Sequence, residues 1–274
     1  METIVFERAG PVGWLRLNRP EKLNAFTALM WRELGALGEE LVADADLRAL
    51  VVIGQGRAFS SGIDTSSFGA AGIADDDGVL APRADSRRHD DPVVDAIMGL
   101  QESYTWLERA PYATIAAVRG YALGAGLQLA LACDIRVVAR GTRLGLLEHR
   151  YGIIPDLGGT QRLPRLVGRG RAKDLVFTAR QIDAEEAGRI GLAEHVVDDE
   201  ELDGAAEMLA ATIAAQPPLA IRGAKHAIDA SMSRPIDDGL RIEAEQQAPC
   251  LRSDDMKEAI AAFVDRRPPV YRGR

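Results

Sequence analysis

Residues 120–134 read Gly-Tyr-Ala-Leu-Gly-Ala-Gly-Leu-Gln-Leu-Ala-Leu-Ala-Cys-Asp. An apolar, strand-like run at residues 114–118 precedes this stretch, and a helix-like run follows its glycines. The pattern therefore predicts a strand that turns through close-set glycines into a helix. Such a turn directs free backbone N–H groups and the positive end of the helix dipole toward one point. We expect a negative group there, either a phosphate or an oxyanion that forms only in a transition state.

Two phosphate-binding patterns were compared with this stretch. The dinucleotide fingerprint G-x-G-x-x-G needs a third glycine, but Gly124-Ala-Gly126 is followed by Gln128 and Leu129. The lysine-containing phosphate loop does not occur anywhere in the sequence. A purely structural alternative is that the glycines only let a helix pack closely on a sheet.

A second strand-and-turn unit lies upstream, at residues 50–64. It is also a β-branched run that ends in glycines and small residues, so backbone N–H groups are expected to be free around Gly62 and Ile63. Two such turns at the ends of neighbouring strands can supply the two donors of an oxyanion hole. A third segment, residues 146–162, brings carboxylates into an otherwise apolar and glycine-rich surround.

Six motifs, in order along the chain, resemble those of the crotonase (enoyl-CoA hydratase/isomerase) superfamily. They are Leu17-Asn-Arg-Pro-Glu-Lys-Leu-Asn-Ala25, Ala58-Phe-Ser-Ser-Gly-Ile-Asp64, Ala117-Val-Arg-Gly-Tyr-Ala-Leu-Gly-Ala-Gly126, Gly152-Ile-Ile-Pro-Asp-Leu-Gly-Gly-Thr-Gln-Arg-Leu-Pro164, Phe177-Thr-Ala-Arg-Gln-Ile-Asp-Ala-Glu-Glu-Ala187 and Ala262-Phe-Val-Asp-Arg-Arg267. The resemblance covers nearly the whole chain. It implies an α/β fold, with a crotonase-like spiral of repeated ββα units over residues 1–200 that carries the CoA site and active site. A C-terminal helical trimerisation region is expected over residues 201–274.

The composition is consistent with one substantial core. The chain has 274 residues, of which 47% are hydrophobic, enough for a core and an appendage. No apolar run is long enough to span a membrane, and no signal-peptide pattern is visible, so we expect a cytoplasmic protein that does not bind membranes. The net charge of −8 argues against nucleic-acid binding. Cys133 is expected to be a small core residue rather than a nucleophile or metal ligand.

Periodicity and turn residues predict the main elements. We expect a hairpin over residues 1–17, helices over 25–43, 95–109 and 126–132, strands over 48–53, 114–118 and 135–139, and further helices from about 201 onward. Residues 66–92 are rich in Gly, Asp, Ala and Arg without periodicity, which predicts a mobile loop or insertion.

The resemblance implies chemistry on an acyl-CoA thioester. The thioester carbonyl becomes an enolate when a proton leaves the α-carbon or a nucleophile adds at the β-carbon, and two N–H donors stabilise that oxygen. By motif position these donors are the backbone N–H groups of Ile63 and Ala125. We expect neither a metal nor a redox cofactor, because CoA is part of the substrate.

Three positions distinguish the reactions within the superfamily. In the hydratase pattern, Glu residues at the sites of Gln128 and Glu148 hold the water that adds to the double bond. Gln128 can orient a water or the substrate, but it cannot exchange protons at useful pH, so ordinary hydration should be impaired. Asp156 stands where hydratases usually carry glycine, a pattern similar to that of the dienoyl-CoA isomerases. That branch normally has an aspartate at the site of Gln128.

By this resemblance, Asp156 removes the α-proton and Glu148 returns a proton at the far end of the dienolate. Isomerisation of enoyl-CoA or dienoyl-CoA double bonds, of the 3,5- to 2,4-dienoyl type, is therefore the leading hypothesis. Two alternatives stay open, namely a hydratase (a lyase) that uses Glu148 with Gln128 holding the water, and a non-catalytic acyl-CoA-binding protein. Asp156 could also be only a turn residue after Pro155.

Four residues match family positions that approach the CoA nucleotide, in some members across a subunit boundary. They are Lys22, Phe263, Arg266 and Arg267. The alternative for the C-terminal residues is a solvated basic helix end that stabilises its own helix dipole. The resemblance also implies a homotrimer, or a dimer of trimers, in which the C-terminal region packs against neighbouring subunits and helps to close the acyl pocket.

Overall fold

The computed structural model describes residues 1–69, 72–73 and 89–274. Most of the predicted loop at residues 66–92 lies outside the described residues. Within the described part, the helices are α1 (Ala28–Val42), α2 (Pro92–Arg109), α3 (Ala125–Leu131), α4 (Gly159–Val167), α5 (Arg169–Thr178), α6 (Ala184–Ile190), α7 (Leu202–Ala214), α8 (Pro218–Ser231), α9 (Ile236–Arg252) and α10 (Asp254–Asp265). The predicted helices near the amino terminus and before Pro111 are confirmed as α1 and α2.

A six-stranded sheet forms the centre of the molecule. Its strands, in spatial order, are β1 (Ile4–Ala9), β2 (Val12–Leu17), β3 (Ala49–Gly54), β6 (Ala113–Val118), β8 (Ile135–Ala139) and β11 (His195–Val197). The predicted hairpin is confirmed as the antiparallel pair β1–β2, and every other neighbouring pair in this sheet is parallel. The carboxyl ends of the parallel strands therefore lie at one edge of the sheet.

The sequences of the central strands explain their position. All residues of β3 (ALVVIG) and β6 (ATIAAV) are buried, as expected of parallel strands that are covered on both faces. The side chains of Leu50 and Val52 contribute to the main core under α1 and α2. Those of Val51 and Ile53 point to the opposite face, which α7 covers.

Shorter strands build a second layer next to this sheet. Strands β7 (Tyr121–Leu123), β9 (Arg143–Gly145) and β10 (Ile182–Asp183) form a small sheet in the order β10-β9-β7, and β4 (Phe68–Gly69) pairs with β5 (Gly72–Ile73). Each central strand thus leads into a short strand or bridge and then a turn. This second layer positions the segments that follow β3 and β6.

The C-terminal helices differ in what they pack against. The buried side chains of α7 recur every four residues and lie against β3, β6 and β8; they are Leu202, Ala206, Ala210 and Ala214. Helices α8 and α9 pack mainly on each other. The division at residue 200 stays a prediction, but α7 packs as part of the core although it follows that position. No helix in the described part of the chain is both long and apolar enough to cross a membrane.

Candidate active site

Two backbone turns lie side by side beyond the carboxyl ends of β3 and β6. The N–H of Ser60 donates to the carbonyl of Tyr121 at 2.8 Å, and the N–H of Leu123 donates back to the carbonyl of Ser60 at 3.0 Å. A further bond of 2.8 Å, from the N–H of Gly124 to the carbonyl of Gly145, ties the second turn to β9. These bonds fix the turn at residues 58–63 against the turn at residues 121–125.

The N–H groups of Ile63 and Ala125 have no hydrogen-bond acceptor among the described residues. Gly62, with a φ of +106°, and Gly124, with a φ of +50°, adopt conformations that side-chain-bearing residues rarely reach. A Cβ atom on Gly62 would lie 3.0 Å from the carbonyl oxygen of Leu123, so the close approach of the two turns needs this glycine. The structure thus brings together the two predicted donors.

The hydroxyl group of Tyr104 holds the second turn through a hydrogen bond. This side chain is fully buried, and its hydroxyl donates to the carbonyl of Ala125 at 3.2 Å while accepting from Nε1 of Trp31 at 3.2 Å. Burial raises the pKa of Tyr104 well above its usual value, so the phenol stays neutral. It therefore positions the turn and does not exchange protons.

A cavity of about 140 Å³ opens in front of the two N–H groups. Its wall combines apolar side chains with two carboxyl groups and one amide. The lining residues that carry the argument are Ile63, Ala125, Gln128, Glu148 and Asp156. The structure thus places five of the sequence-predicted site residues around one cavity, and their chemical roles remain predictions.

Glu148 begins a short 3₁₀ helix, Glu148–Tyr151, and is only 8% exposed. Its Oε1 accepts a hydrogen bond of 2.7 Å from Nε2 of Gln128. Its Oε2 is buried and has no partner among the described residues. Burial, with a contribution from the nearby charge of Asp156, raises the pKa of Glu148 to about 7, although the bond from Gln128 opposes that rise.

Gln128 lies on α3 and is only 1% exposed. Its Oε1 accepts a bond of 2.9 Å from the N–H of Gly159, at the start of α4. Because this bond fixes which end of the amide is the oxygen, the NH₂ group faces Glu148. A Cβ atom at position 159 would lie 2.9 Å from this amide oxygen, so glycine allows the close approach of the two helices.

Asp156 lies in the turn before α4. The side-chain amide of Gln101 donates to its backbone carbonyl at 2.6 Å. Arg162 donates to the carbonyl of the next residue, Leu157, at 2.8 Å and forms an ion pair with Glu108 of α2. Burial raises the pKa of Asp156. The face of α2 therefore holds the turn while leaving the carboxyl group of Asp156 in the cavity wall.

We predict that Glu148→Gln stabilises the protein more at high pH than at low pH. Because the pKa of Glu148 is about 7 in the folded protein against 4.5 for the free side chain, its contribution to stability is complete below pH 4.5 and is lost as the pH rises through 7. The advantage of the variant should therefore grow by about 2 kcal/mol between about pH 5 and about pH 8. Chemical denaturation at both pH values measures it, and an equal advantage at both would contradict this burial.

The four residues predicted to approach CoA are not part of this cavity. Lys22 is exposed at the end of the 3₁₀ helix Pro20–Lys22. Phe263 is 85% exposed on α10, and Arg266 is the left-handed residue that ends that helix. Arg267 forms a two-pronged ion pair with Glu258. No described contact joins these C-terminal residues to the cavity of the same chain, and their role in CoA binding stays a prediction.

Sequence reasoning did not identify three supporting groups, namely the N–H of Gly159, the amide of Gln101 and the hydroxyl of Tyr104. The last two lie in a single helix, α2, three residues apart, and therefore on one face. That spacing was visible in the sequence, but nothing in it indicated which turn this face would hold. The N–H of Gly159 is a backbone group and leaves no sequence signal beyond the glycine itself.

Comparison with known proteins agrees with this geometry. The family model for enoyl-CoA hydratase/isomerase matches residues 7–274. The 1,2-epoxyphenylacetyl-CoA isomerase of Escherichia coli K12 is 35% identical over 278 residues, covering 100% of both chains. Enoyl-CoA hydratase from Bacillus anthracis has a TM-score of 0.88 and 34% identity, with 100% of both chains covered. A Thermobifida fusca protein provisionally assigned as an enoyl-CoA hydratase, solved with acetoacetyl-CoA, has a TM-score of 0.81 and 38% identity, covering 91% of this chain and 95% of its own.

The fold and the cavity thus define an acyl-CoA enzyme with the crotonase-like α/β architecture and a C-terminal helical region. The chain belongs to the enoyl-CoA hydratase/isomerase family. The fold prediction is confirmed. The similar proteins include both hydratases and an isomerase, so the finer resemblance to the dienoyl-CoA isomerases stays a prediction.

Proposed function

We propose that this enzyme isomerises the double bonds of an unsaturated acyl-CoA, with 3,5-dienoyl to 2,4-dienoyl conversion as the type reaction. The observation that supports it most is the pair of carboxyl groups, the buried Glu148 and the half-buried Asp156, in the wall of one cavity beside two free N–H groups. An isomerisation needs one group that accepts a proton and one that donates it, and it needs no bound water. Gln128 occupies the position where a second acid would serve hydration.

In this reaction Asp156 takes a proton from C2, and the electron pair of the broken C–H bond delocalises onto the adjacent thioester oxygen and, through the diene, to C6. The N–H groups of Ile63 and Ala125 stabilise that oxygen as its negative charge develops. Glu148 then donates a proton to C6, which leaves the double bonds at C2 and C4. Asp156 then releases its proton and Glu148 regains one by exchange with the solvent, so atoms and charge balance without a metal, a redox cofactor or water added to the substrate.

The two carboxyl groups must start in different protonation states. Both pKa values are raised by burial. A Glu148 pKa of about 7 lets this group carry a proton near neutral pH, whereas Asp156 must be ionised to act as the base. Separated pKa values of neighbouring groups are the general pattern for an acid–base pair.

This assignment predicts how activity depends on pH. The kcat/KM of isomerisation should fall as the pH rises through 7, because Glu148 then loses the proton that it must donate. It should also fall at lower pH, where Asp156 becomes protonated. A rate that instead increases through 7 would contradict the role of Glu148 as the acid.

Mass analysis of the product distinguishes the three functions. An isomerase releases a product of unchanged mass in ordinary water, and in deuterated water it incorporates deuterium at C6. A hydratase that uses Glu148 with Gln128 holding the water instead adds one water molecule and incorporates labelled oxygen from the solvent. A protein that only binds acyl-CoA changes neither the mass nor the isotope content.

The roles of Lys22, Phe263, Arg266 and Arg267 at the CoA nucleotide remain part of this proposal. A trimer or dimer of trimers would bring the last three from a neighbouring subunit. Large apolar side chains exposed on α8–α10 of the single chain support such an assembly; they include Ile228, Ile236, Leu240, Leu251, Ile260 and Phe263. Sedimentation velocity of the parent and of a Phe263→Ser variant, with CoA affinity measured in parallel, tests both points.

A further inference from the structure

The side chain of Gln128 lies between two segments that each carry a carboxyl group, one with Asp156 and one with Glu148. Its oxygen is held by the N–H of Gly159, three residues after Asp156, and its NH₂ group donates to Glu148. A single amide thus joins the start of α4 to the carboxyl group of Glu148 through bonds of 2.9 and 2.7 Å. We propose that Gln128 is a positioning residue that acts through Glu148, holding Oε1 and thereby fixing the orientation of the carboxyl group that gives up the proton.

The hydrogen bond from the N–H of Gly159 fixes the orientation of the Gln128 amide. An amide oxygen cannot donate a hydrogen bond, and a backbone N–H cannot accept one. Because the N–H of Gly159 points at one end of the Gln128 side chain, that end must be the oxygen. The other end is then a donor, so it binds Oε1 of Glu148 whether this carboxyl group is ionised or carries its proton on Oε2.

One oxygen of the Glu148 carboxyl group has no hydrogen-bond partner among the described residues. Oε1 is taken by Gln128, while Oε2 is buried without a partner in the described part of the chain. An unpaired buried polar atom is costly, and such atoms in native structures often have a catalytic role. The bond from Gln128 therefore fixes the orientation of a carboxyl group whose other oxygen has no partner among the described residues.

The arrangement also limits what Gln128 can do for a water molecule. Its oxygen and one of its two N–H donors are already used, and the side chain is only 1% exposed. One lone pair of the oxygen and one N–H donor remain, but a water held by them would have to fit beside a side chain that is almost fully buried. The predicted water-orienting role is therefore less well supported by this geometry than a role in positioning Glu148.

Two other titratable side chains, Asp156 and Tyr104, belong to the electrostatic surroundings of Glu148. Asp156 is the charged neighbour that acts on the pKa of Glu148, and it raises that value. Tyr104 lies under α3 and stays neutral because burial raises its pKa. Removing the NH₂ donor of Gln128 leaves both neighbours in place and removes a bond that favours the ionised form of Glu148.

The test is the Gln128→Met variant, which keeps the length of the side chain and loses both hydrogen bonds. Infrared titration of the buried carboxyl C=O band, assigned by its loss in Glu148→Gln, reads the protonation of Glu148 without any turnover. We expect the pKa in Gln128→Met to increase by about one unit above the parent value. In parallel, kcat should fall about tenfold while KM changes less, because methionine still fills this part of the cavity wall and the proton donor alone is displaced.

A second variant keeps the test decisive if Gln128→Met does not fold. Gly159→Ala leaves Gln128 intact but places a methyl group 2.8 Å from Cβ of Pro155 and 2.9 Å from the amide oxygen of Gln128. The amide should therefore be displaced, and the same pKa should increase. Gly170→Ala on α5, where a Cβ meets nothing within 4 Å, is the matched control and should leave the titration unchanged.

The inference rests on the proposed isomerisation only for the direction of the kinetic change. An unchanged infrared pKa in Gln128→Met and Gly159→Ala would overturn the positioning role, whatever reaction the enzyme performs. An increased pKa in a protein that hydrates its substrate instead of isomerising it would overturn the proposed function and leave the positioning role intact.

Discussion

Asp156→Asn should lower the turnover of isomerisation by roughly 1,000-fold, because loss of a general base typically costs 10²- to 10⁴-fold. The turn that carries the residue should not change. Its backbone carbonyl still accepts the bond from Gln101, and Arg162 still holds the carbonyl of Leu157. Steady-state kinetics on a dienoyl-CoA, together with thermal unfolding, measure both effects.

Two further variants make this prediction specific. Asp46→Asn changes the same functional group at an exposed turn position and should keep parent activity. Glu148→Gln should also lose product formation, but it should still exchange the α-proton with deuterated water, because Asp156 remains ionised. Parent-like turnover of Asp156→Asn, or α-proton exchange that Glu148→Gln abolishes and Asp156→Asn keeps, would contradict the assigned roles.

Ala125→Pro should lower kcat/KM by about 10²- to 10³-fold, the usual cost of removing one oxyanion-hole donor. Proline has no N–H, but it is well accepted at the first residue of a helix, where that N–H has no partner within the helix. Ala125 is the first residue of α3, and its N–H has no acceptor among the described residues. The substitution therefore removes the proposed oxyanion donor and leaves the hydrogen bonds of the fold in place.

Ala125→Gly is the matched control for this donor. It removes the side chain and keeps the N–H, so kcat/KM should stay within a few-fold of the parent value. Thermal unfolding of the two variants checks that the turn is intact. If Ala125→Pro folds normally and reacts as fast as Ala125→Gly, the N–H of Ala125 does not stabilise the enolate.

The two turns were predictable from the sequence because their backbone conformation depends on residues that are close together in the chain. Gly62 and Gly124 take conformations with positive φ, and each follows a strand whose apolar run is evident in the sequence. A backbone N–H at such a turn is free whatever its own side chain is, so Ile63 and Ala125 could be identified from motif position alone. The central strands and the first two helices followed from periodicity for the same reason.

The partners of Gln128 were not predictable in the same way. Its role depends on how closely α3 and α4 approach, and on which end of an amide meets the N–H of Gly159. These are properties of the packed molecule, because Gln128 and Gly159 lie thirty-one residues apart in the sequence. The place of α7 on the sheet does have a local signal, since Leu202, Ala206, Ala210 and Ala214 repeat every four residues, but a repeat does not say which surface it covers.

The C-terminal residues predicted to approach CoA illustrate another limit of the sequence. Motif position groups Phe263, Arg266 and Arg267 with the active site, but within one chain they do not line the cavity. A residue that acts in a neighbouring subunit has the same sequence pattern as one that acts in its own. Only a structure of the assembly or a mixed-subunit experiment separates these cases.

Under the proposed function, a pair of carboxyl groups moves a proton along the acyl chain and does not add water. The most direct measurement is the absorbance of the conjugated thioester when the purified protein acts on a 3,5-dienoyl-CoA and on a 2-enoyl-CoA of matched length. We expect an increase in absorbance with the diene and no loss with the enoyl substrate. Loss of the enoyl signal with little action on the diene would contradict it, because hydration would then proceed with Gln128 in place of the second acid.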